Sequence, residues 1–118
     1  VQPLRDPLIA DLWESASQLE RAGDFAKADA ALVQALSLGV NDPELLQWRA
    51  ELALAQGKYE DAVLMANASW EAGPRLGLLC RRSWATIKVT RDVTGFPEAA
   101  AAAAAQIARC TIEPPVRM

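Results

Sequence analysis

The sequence predicts an all-α superhelix of about three helical hairpins, six helices within a single domain, and three observations carry that prediction. First, Gly23-Asp24-Phe25-Ala26-Lys27-Ala28 returns 34 residues later as Gly57-Lys58-Tyr59-Glu60-Asp61-Ala62. The same offset pairs Leu12 with Leu46, Ala16 with Ala50, Leu19 with Ala53, Leu32 with Ala66 and Ala35 with Ser69. An internal period of this length marks supersecondary units that bury their apolar faces only by stacking. Second, alanine, leucine and arginine dominate and β-branched residues are sparse, which favours helix in every segment long enough to hold one. Third, single glycines and prolines fall where the period needs helices to stop and start.

Each element follows in order. Val1 to Pro7, with two prolines, reads as an extended lead-in. Helix one starts after Pro7 or near Asp11 and runs to about Ala22, with Leu12, Ala16 and Leu19 at helical spacing on one face. Helix two runs from Phe25 or Ala26 to Leu38, turning Ala28, Ala31, Leu32, Ala35 and Leu36 inward. Gly39 is expected to end it in the left-handed conformation. Asn41-Asp42-Pro43 reads as an N-cap followed by proline at the first helical position, so helix three starts there and runs to Gln56. Helix four spans Tyr59 or Glu60 to about Glu71 and is ended by Gly73-Pro74. Helix five covers about Leu76 to Thr90, Asp92 to Pro97 forms a longer turn, and helix six runs from Pro97 to about Arg109. Pro114-Pro115 prevents any continuation.

The units fall at about 9–42, 43–76 and 77–110, with a tail at 111–118. The third is looser. Gly95-Phe96-Pro97-Glu98-Ala99 carries its turn, with Phe96 placed 37 residues after Tyr59 and Ala99 placed 37 after Ala62, which implies about three inserted residues. The seven alanines Ala99–Ala105 occupy its second helix. They make a narrow helix with little apolar surface, which suits a terminal unit facing water; a partner packing on the smooth alanine surface is the alternative.

Composition bounds the function. Of 118 residues, 52% are hydrophobic and 23% charged, as in a soluble globular chain, and no apolar run is long enough to span a bilayer. The chain starts at Val1 rather than Met, so a processed or trimmed chain is expected, and membrane attachment is expected only through an anchor preceding Val1. Residues 1–74 hold five basic and twelve acidic side chains, a net of −7, and residues 75–118 hold seven basic and three acidic, a net of +4. The stack should therefore have an acidic front and a basic rear. An acidic protein with pI near 4.9 is not expected to bind nucleic acid.

Catalysis is not expected either. The chain has no histidine, which removes the usual general base and the commonest zinc ligand. Its two cysteines form no CxxC pair, its glycines lie singly at turns, and Glu14, Glu20, Glu44 and Glu51 read as solvated helix faces. No cofactor is implied.

A helix-turn-helix of 34 residues with Gly-Asp/Lys-aromatic at the turn and alanine in its second helix resembles the tetratricopeptide repeat family, over roughly residues 9 to 110. The resemblance implies a non-catalytic scaffold whose first helices line a concave groove for a partner protein or peptide. Position by position it places Trp13, Ser17, Glu20 and Arg21 there from the first unit, Gln47, Trp48 and Glu51 from the second, and Arg81, Arg82 and Lys88 from the third. The two tryptophans would be rigid anchors and the arginines available for carboxylates; burial of Trp13 and Trp48 against neighbouring helices is the other reading. Trp70 and Trp84 are expected in the core. The chain departs from the family's clamp for chaperone C-termini, because Trp13, Ser17 and Trp48 replace its lysine and asparagines and only Arg82 matches.

Cys80 lies in the first turn of helix five and Cys110 just past helix six, ends that are neighbours in an antiparallel hairpin. Either they form a bridge, implying an oxidising compartment such as the periplasm, or Cys80 is a small core residue where the family prefers an aromatic and Cys110 is free. The sequence leaves both open. Leu12-Trp13, the Ala22-Gly23-Asp24 turn, the Leu-x-x-Ala-x-Gly run ending at Gly57, and Arg82-Ser83-Trp84-Ala85-Thr86-Ile87 are similar to small bacterial envelope tetratricopeptide proteins, among them lipoproteins that activate a bifunctional penicillin-binding protein. The resemblance implies a periplasmic or outer-membrane-anchored adaptor. The alternatives are a head-to-tail homo-oligomeric scaffold, acidic front on basic rear, and a cytoplasmic adaptor.

Overall fold

The computed structural model describes residues 6–39 and 42–111. They form α1 (Pro7–Arg21), α2 (Phe25–Leu38), α3 (Pro43–Ala55), α4 (Tyr59–Ala72), α5 (Leu78–Val93) and α6 (Pro97–Arg109). No strand occurs among the described residues. Successive helices pack as three hairpins, and the hairpins stack in chain order. Asn41, the lead-in before Asp6 and Pro114-Pro115 lie outside the described residues.

Local chemistry sets the helix starts. Asp6, Asp24 and Asp42 are N-caps whose Oδ1 atoms accept from Leu8, Lys27 and Glu44 backbone N–H groups at 2.8, 3.2 and 3.0 Å. Pro7, Pro43 and Pro97 follow in the first turn, where a missing N–H costs nothing. Within each hairpin the turn is built identically. Gly23, Gly57 and Gly95 have φ of 80°, 74° and 85°, and the residue after each glycine donates its N–H to a carbonyl five residues back: Asp24 to Leu19, Lys58 to Ala53 and Phe96 to Arg91. This is the Schellman closure, which satisfies the last carbonyls of the first helix and requires a left-handed residue.

That shared geometry corrects the third unit's register. Gly95 stands 38 residues after Gly57, so Phe96 matches the N-caps Asp24 and Lys58, and Pro97 takes the place of Phe25 and Tyr59. Phe96 is accordingly 53% exposed, and Ala100 rather than Ala99 is the buried partner of Ala28 and Ala62. The insertion is four residues, one helical turn, placed where α5 begins. It makes α5 16 residues long against 13 for α3. The expected span from Leu76 to Thr90 moves to Leu78–Val93, and Trp84 becomes the counterpart of Leu46. Gly39 also differs from expectation. Its backbone is extended, with φ −135° and ψ −177°.

Gly73 serves a different purpose. It is extended as the residue before Pro74 must be, and an added Cβ would lie 2.9 Å from Pro43 Cβ and 3.0 Å from the Ser69 carbonyl oxygen. Ser69 Oγ donates to the Pro43 carbonyl at 2.7 Å, so α4 ends pressed against the start of α3. Gly23→Ala should destabilise by about 1–2 kcal/mol through backbone strain alone, since nothing lies within 4 Å of it. Gly73→Ala should cost about 1–3 kcal/mol through overpacking, with no strain term. Urea titrations of both variants check this; equal losses from Gly23→Ala and Gly23→Asn would show that the left-handed turn, which asparagine tolerates, is not what matters.

The core divides in two. Ala16, Ala28, Leu32, Ala35, Leu45, Trp48 and Leu52 form the first cluster, supported by Ile9, Leu12, Leu19, Phe25 and others. Its members pair at the 34-residue offset with the buried Ala50, Ala62, Ala66 and Ser69. The second cluster is Ala50, Ala66, Ile87 and Ala103, with Met65 and Trp84 packed on it. Small side chains thus replace large ones toward the C-terminus. The buried face of α5 is largely hydroxylic: Ser83 Oγ and Thr90 Oγ1 donate to carbonyls one turn back at 3.0 and 2.7 Å. Of the seven alanines only Ala100 and Ala103 are buried. Trp70 and Trp84 meet edge to face at 5.3 Å, half-buried, with the Arg75 guanidinium 3.7 Å over Trp70.

Cys80 and Cys110 are joined by a disulfide that closes a 30-residue loop. Next to it the Gly77 N–H donates to the Cys110 carbonyl at 2.7 Å. The start of α5 and the end of α6 are therefore tied by a covalent and a backbone link.

Candidate functional site

α3 packs directly on α5, whereas α1 and α3 stand further apart, and side chains fill the difference. Trp13 from α1 meets Trp48 from α3 edge to face, with centroids 5.0 Å apart and planes at 61°. Beside this pair lies a concavity of about 260 Å³, lined by Trp13, Ser17, Glu20, Glu44, Trp48, Glu51 and Arg82. The lining side chains recur along their helices because residues three and four apart share a face: Trp13, Ser17 and Glu20 on α1, Glu44, Trp48 and Glu51 on α3.

Six of the residues expected in the groove from the sequence come together here: Trp13, Ser17, Glu20, Trp48, Glu51 and Arg82. Gln47 is a correction. It is 0% exposed, its Nε2 donating to Thr86 Oγ1 at 2.8 Å and to the Arg82 carbonyl and Glu51 Oε2 at 3.2 Å each. It belongs to the seam between α3 and α5, because the longer α5 covers it. Gln47 Oε1 has no hydrogen-bond partner there. Arg81 and Lys88 are corrections of the same origin. The 38-residue register puts Arg82 opposite Glu44, and neither Arg81 nor Lys88 lines the concavity. Lys88 Nζ instead pairs with Asp92 at 2.9 Å. Arg21 is exposed at the end of α1, 3.8 Å from Glu14, and does not reach the concavity. Glu44 also lines the concavity, a groove position not expected from the sequence, and it stands 38 residues before Arg82.

Arg82, expected to be available for carboxylates, is engaged within the chain. Arg82 Nη2 and Nε donate to Glu51 Oε1 and Oε2 at 2.7 and 3.0 Å, a two-pronged pair. The hydrogen bond to Glu51 is the largest influence holding the Arg82 guanidinium above its ordinary pKa; burial opposes it, and the fields of Glu51, Glu44 and Glu20 add to it. Arg82 is thus engaged by a neighbour within the groove. Arg91 Nη1 likewise lies 3.7 Å from Glu60 Oε1, so the basic rear of the stack partly neutralises its own acidic front. Among the described residues no group of three or more His, Cys, Asp or Glu side chains is set to hold a metal ion, and no helix is long and apolar enough to cross a membrane.

No protein-family model and no curated protein matches the chain. Its fold has a solved counterpart. The chain is similar to the globular C-terminal domain of LpoP from P. aeruginosa. The two share 25% identity with a TM-score of 0.80, over 89% of this chain and 99% of that domain. The likeness thus takes in all three hairpins rather than one repeated motif, and it is to a bacterial domain of nearly the same size.

Proposed function

We propose that this domain is a non-catalytic interaction module of the bacterial envelope that docks a protein partner in the groove between α1, α3 and α5. The partner class we favour is a bifunctional penicillin-binding protein, the class regulated by the small envelope proteins that the sequence resembles. The observation that carries the proposal is the likeness to the LpoP domain over 99% of that domain's length. Three further features support it. The disulfide fits an oxidising compartment such as the periplasm. The concavity offers rigid aromatic anchors, the residues that dominate binding energy at interfaces. The groove lacks the histidine and the nucleophile–base pairs that catalysis would draw on.

A photo-crosslinking residue at Ser17 tests the proposal. In envelope extracts labelled with fluorescent penicillin, Ser17 in the groove should yield a penicillin-labelled adduct. Leu64 on α4, 66% exposed and outside the groove, should yield none. Adducts from Leu64 alone would move the docking face elsewhere, and adducts carrying no penicillin label would discard the partner class.

A further inference from the structure

The outer face of α6 complements a second copy of itself. Glu98, Ala102, Ala105 and Arg109 are all exposed, and their spacing of four, three and four residues sets them in one line along the helix, the spacing of a coiled-coil seam. We infer that a second copy of this chain docks on that line, α6 against α6 about a two-fold axis, with Glu98 of each copy on Arg109 of the other and Ala102 on Ala105. The inference goes beyond the partner groove and does not rest on it.

Alanines alone would name no partner; the charges at the two ends do. Glu98 and Arg109 are the only charged residues of α6. Neither side chain is held in an ion pair among the described residues. A two-fold axis midway between Ala103 and Ala104 sets 98 opposite 109 and 102 opposite 105, so opposite charges meet at both ends at once. A parallel pair would instead set carboxylate on carboxylate and guanidinium on guanidinium. Neither of the other outward helices offers the match. α4 exposes Glu60, Asp61 and Glu71 and holds no basic residue, and Lys27 is the one exposed charge of α2.

The rest of the face lets the copies come close. Ala99, Ala101 and Ala108 flank the line and are exposed, so methyl groups cover most of the approach and dispersion contacts can run along the helix. The first turn of α6 adds a concavity of about 360 Å³ lined by Gly95, Phe96, Pro97, Glu98 and Ala99. It lies at the end of the line where Arg109 of the other copy arrives, and the exposed Phe96 gives the stem of that arginine an apolar bed. Exposed ion pairs add little affinity, so here they fix orientation while packing supplies the adhesion, and the dimer is weak and salt-sensitive. The concavity beside Trp48 involves no residue of α6, so the dimer presents two such grooves, which favours a partner with two sites through effective concentration.

Sedimentation velocity of the oxidised chain at low salt, followed from micromolar to millimolar concentration, tests the inference. The boundary should move from monomer to dimer and no further, and added salt should shift the transition to higher concentration. Glu98→Arg sets arginine on arginine at both ends and Arg109→Glu sets glutamate on glutamate, so each should weaken the dimer by roughly tenfold. Mixed in equal amounts, the two variants complement each other and should recover the association of the wild type. Both substitutions also oppose the dipole of α6, but a frayed helix would not be rescued by mixing. Ala105→Gln leaves the charges alone and fills the seam, and it should weaken the dimer by a comparable factor. A monomer at every concentration, growth beyond the dimer as head-to-tail stacking requires, no recovery on mixing, or a dimer indifferent to Ala105→Gln would overturn the inference.

Discussion

Reducing the Cys80–Cys110 disulfide should lower the unfolding midpoint by about 15 °C. The bond closes a 30-residue loop, and chain entropy alone assigns such a crosslink about 3.5 kcal/mol. For a chain of this size roughly 4 °C accompanies each kcal/mol. The large effect follows from where the bond sits. The second core cluster is four small or medium side chains, Ala50, Ala66, Ile87 and Ala103, and the inward face of α5 adds Ser83, Thr86 and Thr90. A buried alanine contributes far less than a buried leucine, at about 0.8 kcal/mol per methylene equivalent. Nor can α6 gain much from burial, because most of its alanines face water. Noncovalent packing in the last hairpin is therefore weak, and the crosslink limits how far an opened α6 can depart. Thermal melts by circular dichroism, run on oxidised chain, reduced chain and the Cys80→Ala, Cys110→Ala double variant, check the value. The reduced wild type and the double variant should agree. A midpoint within about 3 °C of the oxidised chain would mean that the thin core suffices. Hydrogen exchange should locate the loss in α6, leaving α1–α4 protected.

Trp48→Ala should cost about 3–5 kcal/mol and remove partner binding together. One face of this side chain belongs to the first core cluster, where it packs with Ala16, Leu32, Leu45 and Leu52. Its ring edge or face also meets Trp13 and lines the concavity, and it remains 9% exposed. Truncation would leave a cavity too large for the helices to close, since α1 and α3 are bridged here by side chains. Trp48→Phe separates the two roles. It keeps most of the buried area, so stability should fall by only about 1–2 kcal/mol, while the smaller ring should fill less of the groove and weaken partner binding. Urea denaturation alongside Ser17 crosslinking gives both readouts. A Trp48→Phe chain that is as tightly bound as wild type would show that Trp48 is only a core residue.

The three left-handed turns at Gly23, Gly57 and Gly95, the proline starts at Pro7, Pro43 and Pro97, and the aspartate caps are local devices, each complete within a few residues of chain, so the sequence alone determined the six helices and their hairpin pairing. The 34-residue offset likewise determined that Ala16, Ala50, Ala28 and Ala62 face inward, because every copy of a stacked unit must bury the same stripe. The sequence showed an insertion of about three residues in the third unit but not that it is four, one full turn ahead of α5, since pairing Phe96 with Tyr59 instead of Lys58 misplaces the unit by one residue. Only the tertiary structure settled that register, moving Phe96 to a cap, Gln47 into the seam and Arg82 opposite Glu44. It alone also placed Arg82 on Glu51 at 2.7 Å, 31 residues away, and so engaged within the chain an arginine expected to be available for a partner's carboxylate. Spacing along a chain determines which face a charge occupies; whether that charge is left for a partner depends on which helix lies across from it.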